Sequence, residues 1–127
     1  MSENKPTESE LEILQILWQK KEATVREVHE ILQEKKQVGY TTTLKLMQIM
    51  LEKGLVERND ISRSHIYRAA INQEKTQKDL ISKFVDGVFG GSRMDLVLKV
   101  LGDQASTPKE IEQIREFLNN IDKPKSY

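Results

Sequence analysis

The hydrophobic period of this chain changes once and then changes back. Up to about Gly54, apolar residues recur at three- and four-residue steps. From Leu55 to Ile71 the segments "LVERND" and "HIYRAAI" are short, partly alternating and rich in Val, Ile and Tyr, with "DISRS" between them. From about Asn72 the helical step returns. A repeat of 3.6 and a repeat of 2 belong to different backbones. The sequence is therefore confined to helices, one short β-hairpin with a polar, basic tip, and helices again.

The first helices carry start signals. In "PTESELEILQILWQKK", Thr7 and Glu10 stand at capping-box spacing, and Leu11, Ile13, Leu14, Ile16, Leu17 and Trp18 form an apolar stripe. The spacing predicts a helix over residues 8–20 with Trp18 in the core. "ATVREVHEILQEKK" repeats the device with Thr24 and Glu27, and Val25, Val28, Ile31 and Leu32 make a short amphipathic second helix. After a turn at "QVGY", a third helix is expected from about Thr41 to Lys53, stopped by Gly54. Three helices followed by a hairpin is the order of a winged helix-turn-helix, in which the second helix of the turn enters the major groove and the hairpin is the wing. Residues 1–72 are assigned to that domain.

Residues 73–127 read as a three-helix module. "KDLISKFVDGVFGG" puts Leu80, Ile81, Phe84, Val85, Val88 and Phe89 on one face, "SRMDLVLKVLGD" is apolar almost all round, and "STPKEIEQIREFLNN" starts with Thr107 as N-cap, Pro108 at N1 and Glu110 at N3. So thin a module has little room for a private core. A second copy interleaving around a twofold axis would cover it. The expected dimerisation surface is Phe84, Val88, Phe89, Leu96, Val97, Leu98, Val100, Leu101, Ile114 and Leu118. The alternative is a monomer that packs this module on its own first half. The fold class is thus mainly α with a small β-hairpin: an N-terminal winged helix-turn-helix plus a C-terminal three-helix dimerisation module.

"YTTTLKLMQIMLEK" holds three consecutive threonines in a helix, where they are mediocre formers. If the apolar side runs through Thr43, Leu46, Met47 and Met50, the opposite side carries Thr41, Thr42, Lys45 and Gln48. Such groups suit a major groove: hydroxyls bond base edges or phosphates, the Thr methyl packs on a thymine methyl, and Gln pairs with adenine. The alternative reading has Thr41 and Thr42 merely capping the helix. Twenty basic and twenty acidic residues cancel overall, so any electrostatic case is local. Between Lys35 and Arg68 seven basic residues (Lys35, Lys36, Lys45, Lys53, Arg58, Arg63, Arg68) face three acidic ones (Glu52, Glu57, Asp60). Arg63 and His65 at the wing could reach a phosphate or the minor groove.

Other chemistries find little footing. No cysteine is present, and His29 and His65 are far apart with no second ligand at zinc spacing. Neither a phosphate-cradling Gly-rich loop nor a nucleophile elbow occurs. The expectation is a non-enzyme without metal or cofactor. With no apolar run of about 18 residues and a polar, acidic N-terminus, a cytoplasmic protein without membrane insertion is expected.

"TESELEILQILWQKKEATVREVHEIL", "YTTTLKLMQIMLEKGLVER", the "IYRA" strand, "DLVLKVL" and "EIEQIREFLNNI" together resemble the penicillinase repressor family of bacterial winged-helix transcription regulators over nearly the whole chain. The resemblance implies a repressor, dimeric through its C-terminal helices, on palindromic operators, and it carries a DNA-facing helix start onto Tyr40, Thr41 and Thr42. In one branch, a membrane-bound metalloprotease sensor of β-lactams triggers cleavage at an Asn-Phe pair in the middle C-terminal helix. Lys99 and Val100 occupy that place here. A copper-responsive branch has a Cys-rich metal site, which a chain without Cys lacks. The resulting expectation is a sequence-specific DNA-binding repressor relieved by proteolysis or another inducing signal. A ligand-gated winged-helix regulator and a winged-helix protein-interaction module are the alternatives.

Overall fold

The computed structural model describes residues 5–60, 63–102 and 107–122. Its elements are α1 (Glu8–Lys20), β1 (Ala23–Thr24), α2 (Val25–Gln33), α3 (Tyr40–Lys53), β2 (Val56–Asn59), β3 (Ile66–Ala69), α4 (Gln73–Phe89), α5 (Arg93–Gly102) and α6 (Pro108–Asp122). The helices begin where the sequence supplies a partner for the orphan amides of a first turn. Thr7 and Thr24 each accept from the backbone N–H three residues on, while Glu10 and Glu27 reach back to the cap N–H at 2.9 and 2.8 Å. Thr107 and Glu110 form the same reciprocal pair ahead of α6. Asn72 Oδ1 accepts from Lys75 N–H at the front of α4, and Ser92 Oγ accepts from Asp95 N–H at the front of α5. α3 ends at Gly54, whose φ of 80° is the left-handed turn that glycine takes without strain.

The chain falls into two compact units, Met1–Lys78 and Asp79–Tyr127. The sequence-based boundary at residues 72 and 73 coincides with the start of α4, and the division by compactness lies within that helix.

In the first unit, β2 and β3 form the wing hairpin with Val56 opposite Ala69 and Arg58 opposite Tyr67. β1 pairs antiparallel with the other edge of β3, Ala23 opposite Tyr67 and Thr24 opposite Ile66, so the sheet order is β1-β3-β2. This third strand was not expected from the sequence. It is two residues long, and Thr24 serves at once as its last residue and as the N-cap of α2. Strand β3 is thereby paired on both edges, and Tyr67 is sealed beneath the sheet. One core unites Ile13, Leu14 and Leu17 of α1, Val28 and Leu32 of α2, Met47 and Met50 of α3, and Leu55, Val56 and Tyr67 of the wing. Trp18 packs on it as expected and donates its indole N–H to the Ile71 carbonyl at 3.0 Å, tying α1 to the end of the wing. Glu10 is buried beside the core. Lys53, at the far end of α3, meets it at 2.7 Å.

The second unit is built differently. Among its described residues only Val85 is buried. Gly90 and Gly91, at φ 58° and 90°, turn the chain out of α4. No helix among the described residues is long and apolar enough to cross a membrane.

Candidate nucleic-acid interface

The three threonines of α3 divide by task. Thr43 is fully buried, and its Oγ1 lies 3.0 Å from Nδ1 of His29, itself 8% exposed on α2. Tyr40 stands edge-on to the same imidazole, with ring centroids 5.4 Å apart. A buried hydroxyl–imidazole bond and a ring contact therefore hold the two helices of the turn together. Thr43 and His29 were not recognised as partners in the sequence, where they are separated by a helix end and a turn.

Thr41 and Thr42 do not cap. The N-cap of α3 is Gly39, with no side-chain hydrogen bond, and the first turn carries no carboxylate. The Thr42 and Thr43 amides instead fold back onto the Gly39 carbonyl. Thr41, Thr42, Lys45 and Gln48 are all exposed on the side of α3 opposite buried Thr43, Met47 and Met50. Ile49 joins them, 37% exposed, four residues after Lys45 and seven after Thr42, and so on the same face. In the sequence Ile49 passes for one more core residue of the helix, and its four-residue spacing from Lys45 is the signal that places it outside. The result is a strip with hydroxyls, a methyl-bearing apolar side chain, an amide and one ammonium.

The local positive charge is smaller in structure than in sequence. Lys36 pairs with Glu12, Lys53 with Glu10, Arg58 with Asp60 and Arg68 with Glu57. Of the seven cations counted between residues 35 and 68, Lys35, Lys45 and Arg63 keep no carboxylate partner among the described residues. Arg63 is exposed near the wing tip. His65 is also exposed, and its Nδ1 lies 2.9 Å from Asp60 Oδ1. Asp60 further receives Nε of Arg58 at 2.6 Å and Nη2 at 3.3 Å. The Tyr67 hydroxyl, and after it Asp60, raises the Arg58 pKa above its ordinary value.

Of the ten residues expected at a dimer surface, six are exposed and four half-buried in the second unit. Phe84, Val88, Val97, Leu98, Val100 and Leu118 are exposed, and Phe89, Leu96, Leu101 and Ile114 are half-buried. Ile81, Met94, Phe117 and Ile121 extend the same apolar surface, Phe117 being 63% exposed. Their helical stripes were visible in the sequence, but which stripe members the chain covers by itself was not. Phe84 and Phe89 pack on each other at 5.9 Å. Lys99 and Val100 both lie exposed within α5.

No group of three or more His, Cys, Asp or Glu side chains among the described residues could hold a metal ion. Residues 6–120 match the family model described as penicillinase repressor. Similar curated proteins include the penicillinase repressor of Staphylococcus aureus, 27% identical over 115 residues, which cover 91% of each chain. They also include the methicillin resistance regulatory protein MecI of Staphylococcus aureus (strain N315), 26% identical over 111 residues, 87% of this chain and 90% of that one. A solved structure, the reduced form of MarR from E. coli, is alike at a TM-score of 0.47 and 18% identity, covering 93% of this chain and 79% of the other, too loosely to carry a conclusion.

Proposed function

We propose that this chain, which belongs to the penicillinase repressor family, is a DNA-binding transcriptional repressor that acts in the cytoplasm as a homodimer on a palindromic operator. The observation that carries this reading is the outward strip of α3, whose polar groups are exposed at a helix start with no carboxylate in its first turn.

In this reading α3 lies in the major groove. Tyr40, Thr41 and Thr42 meet the phosphates and base edges nearest the helix start, where free N–H groups also favour anions. Lys45 meets a phosphate or guanine, Gln48 pairs with adenine, and a Thr or Ile49 methyl packs on a thymine methyl. Arg63 and His65 of the wing reach the flanking backbone. The His29–Thr43 bond fixes the pitch of the reading helix against α2. One such helix spans few base pairs. Two, held about 34–36 Å apart by a dimer, read both halves of a palindrome. The uncovered faces of α4, α5 and α6 would form that dimer.

Proteolysis at Lys99–Val100 would cut α5 and detach α6, removing much of the dimer surface and so the paired reading heads. A membrane sensor protease is the partner this implies; its site must open locally, since both residues are helical. A ligand-gated regulator is the second reading, favoured by a depression of about 810 Å³ lined by Phe89, Asp95, Leu98, Lys99 and Gly102.

The test is a titration of the intact protein against duplex from its own upstream region by fluorescence anisotropy at several salt concentrations. Selective, salt-sensitive binding is expected. Lys45→Ala should flatten the dependence of log K on log salt by about one unit, and Thr42→Ala should cost about 1–3 kcal/mol with relaxed selectivity. Wild-type affinity in both variants would remove α3 from the groove. An intact chain after induction, with affinity that responds to a small molecule, would favour the ligand-gated reading.

A further inference from the structure

We infer that Asp60 is an affinity-limiting residue of the wing, an internal carboxylate that occupies the place a DNA phosphate would take. The inference rests on the DNA-binding reading and concerns how strongly that surface binds.

The geometry is a fork. Arg58 presents Nε to Asp60 Oδ1 and Nη2 to Oδ2, at 2.6 and 3.3 Å, the two-pronged arrangement that guanidinium also makes with phosphate. His65 Nδ1 lies 2.9 Å from the same Oδ1. One side chain thus engages both an Arg and a His of the hairpin, and the Asp60 side chain is itself 55% exposed at the end of β2, near the tip. A phosphate approaching the wing meets a like charge, and behind it a guanidinium already neutralised. At this exposure the ion pair contributes little to stability. A phosphate brought up by the rest of the interface can therefore compete with it.

Removing the carboxylate would not scatter the cation. Arg58 stands on β2 opposite Tyr67 of β3, a residue buried in the core. The Arg58 side chain is itself only 28% exposed, so packing on the sheet holds it as well as the carboxylate does. Asp60→Asn therefore leaves Arg58 positioned, now with its charge uncompensated. By contrast, Arg68 pairs with Glu57 and stays neutralised in the variant.

The experiment uses the full chain as wild type, Asp60→Asn, Asp60→Glu, Lys45→Ala and the double variant Asp60→Asn/Arg58→Gln. Each is titrated against the upstream duplex and a random duplex at several salt concentrations, with a thermal melt alongside. Asp60→Asn should tighten binding to both duplexes about three- to tenfold at moderate salt and steepen the salt slope by about one unit. Asp60→Glu should stay near wild type, and the double variant should lose the gain. Unchanged or weaker binding by a folded Asp60→Asn protein overturns the inference, as does a gain that survives loss of Arg58. If Lys45→Ala still weakens binding in that case, the groove reading stands and only the wing inference falls. Absence of any duplex binding by wild type overturns both.

Discussion

The two units of this molecule bury apolar surface in opposite ways. The first closes a core from every one of its elements, and Tyr40 and Ile49 are its only large apolar residues counted as exposed among those described. The second has comparable amphipathic stripes, yet among its described residues Val85 is the single buried one and ten large apolar side chains stay in solvent. Apolar surface on that scale seldom remains uncovered on a soluble monomer. The contrast teaches that hydrophobic pattern reports which face wants burial but not which chain supplies the cover. On the proposed reading, the unit that meets DNA must be rigid on its own, whereas a unit that joins two copies need only be complete when paired.

The sharpest way to break the comparison is to charge the second unit. Val97→Glu places like charges across the proposed twofold contact. It should raise the dimer dissociation constant on the order of 10³-fold, about 4 kcal/mol, while leaving the first unit's melt unchanged. Sedimentation showing an intact dimer would remove the assignment. Next in size is Leu14→Ala in the first unit. It should cost about 2–5 kcal/mol through lost transfer energy and a cavity, read as a lower urea midpoint. Leu98→Ala, on an exposed residue, should act only through concentration-dependent association. A large concentration-independent loss from Leu98→Ala would show that the second unit has a private core after all.

Smaller effects probe the first unit's self-sufficiency. Thr43→Val keeps shape but strands the His29 nitrogen, and should cost about 1–2 kcal/mol together with weaker duplex binding as α3 loses its lock on α2. Stability lost without any change in binding would make that bond structural only. The smallest effect is acid sensitivity at Glu10. Burial pushes its pKa up, but the Lys53 ammonium and the Thr7 N–H outweigh this and hold it below the ordinary 4.5. Because the folded value is the depressed one, the stabilisation is complete above the unfolded value and is lost as pH falls below 4.5 through the folded value. Glu10→Gln should therefore flatten the acid limb of the stability curve. An unchanged limb would assign acid sensitivity to other carboxylates.

What was legible in the sequence was what depends on near neighbours. The capping boxes at Thr7, Thr24 and Thr107 each span only four residues, and each one formed. Helix periods located the buried face of α3 through Thr43, Met47 and Met50. What escaped depends on distant partners. Ala23–Thr24 is too short for any alternation to register, and only the neighbouring β3 makes it a strand. A charge count along residues 35–68 cannot know that Lys53 is turned to Glu10 and Lys36 to Glu12, residues outside the window. Likewise, three adjacent threonines look alike until His29 arrives beside one of them.

The two-residue strand also bears on the order in which the molecule comes together. The β2–β3 hairpin closes over a few residues and can form in about 1–10 μs. The pairing of Ala23 with Tyr67 instead closes α2, α3 and the hairpin into one long loop. The entropy of that closure must be met before its few hydrogen bonds return anything. Thr24, shared between strand and helix cap, then reaches its final geometry only when the wing has docked. The helix-turn-helix and the wing are for this reason expected to assemble as one cooperative step rather than as separable parts.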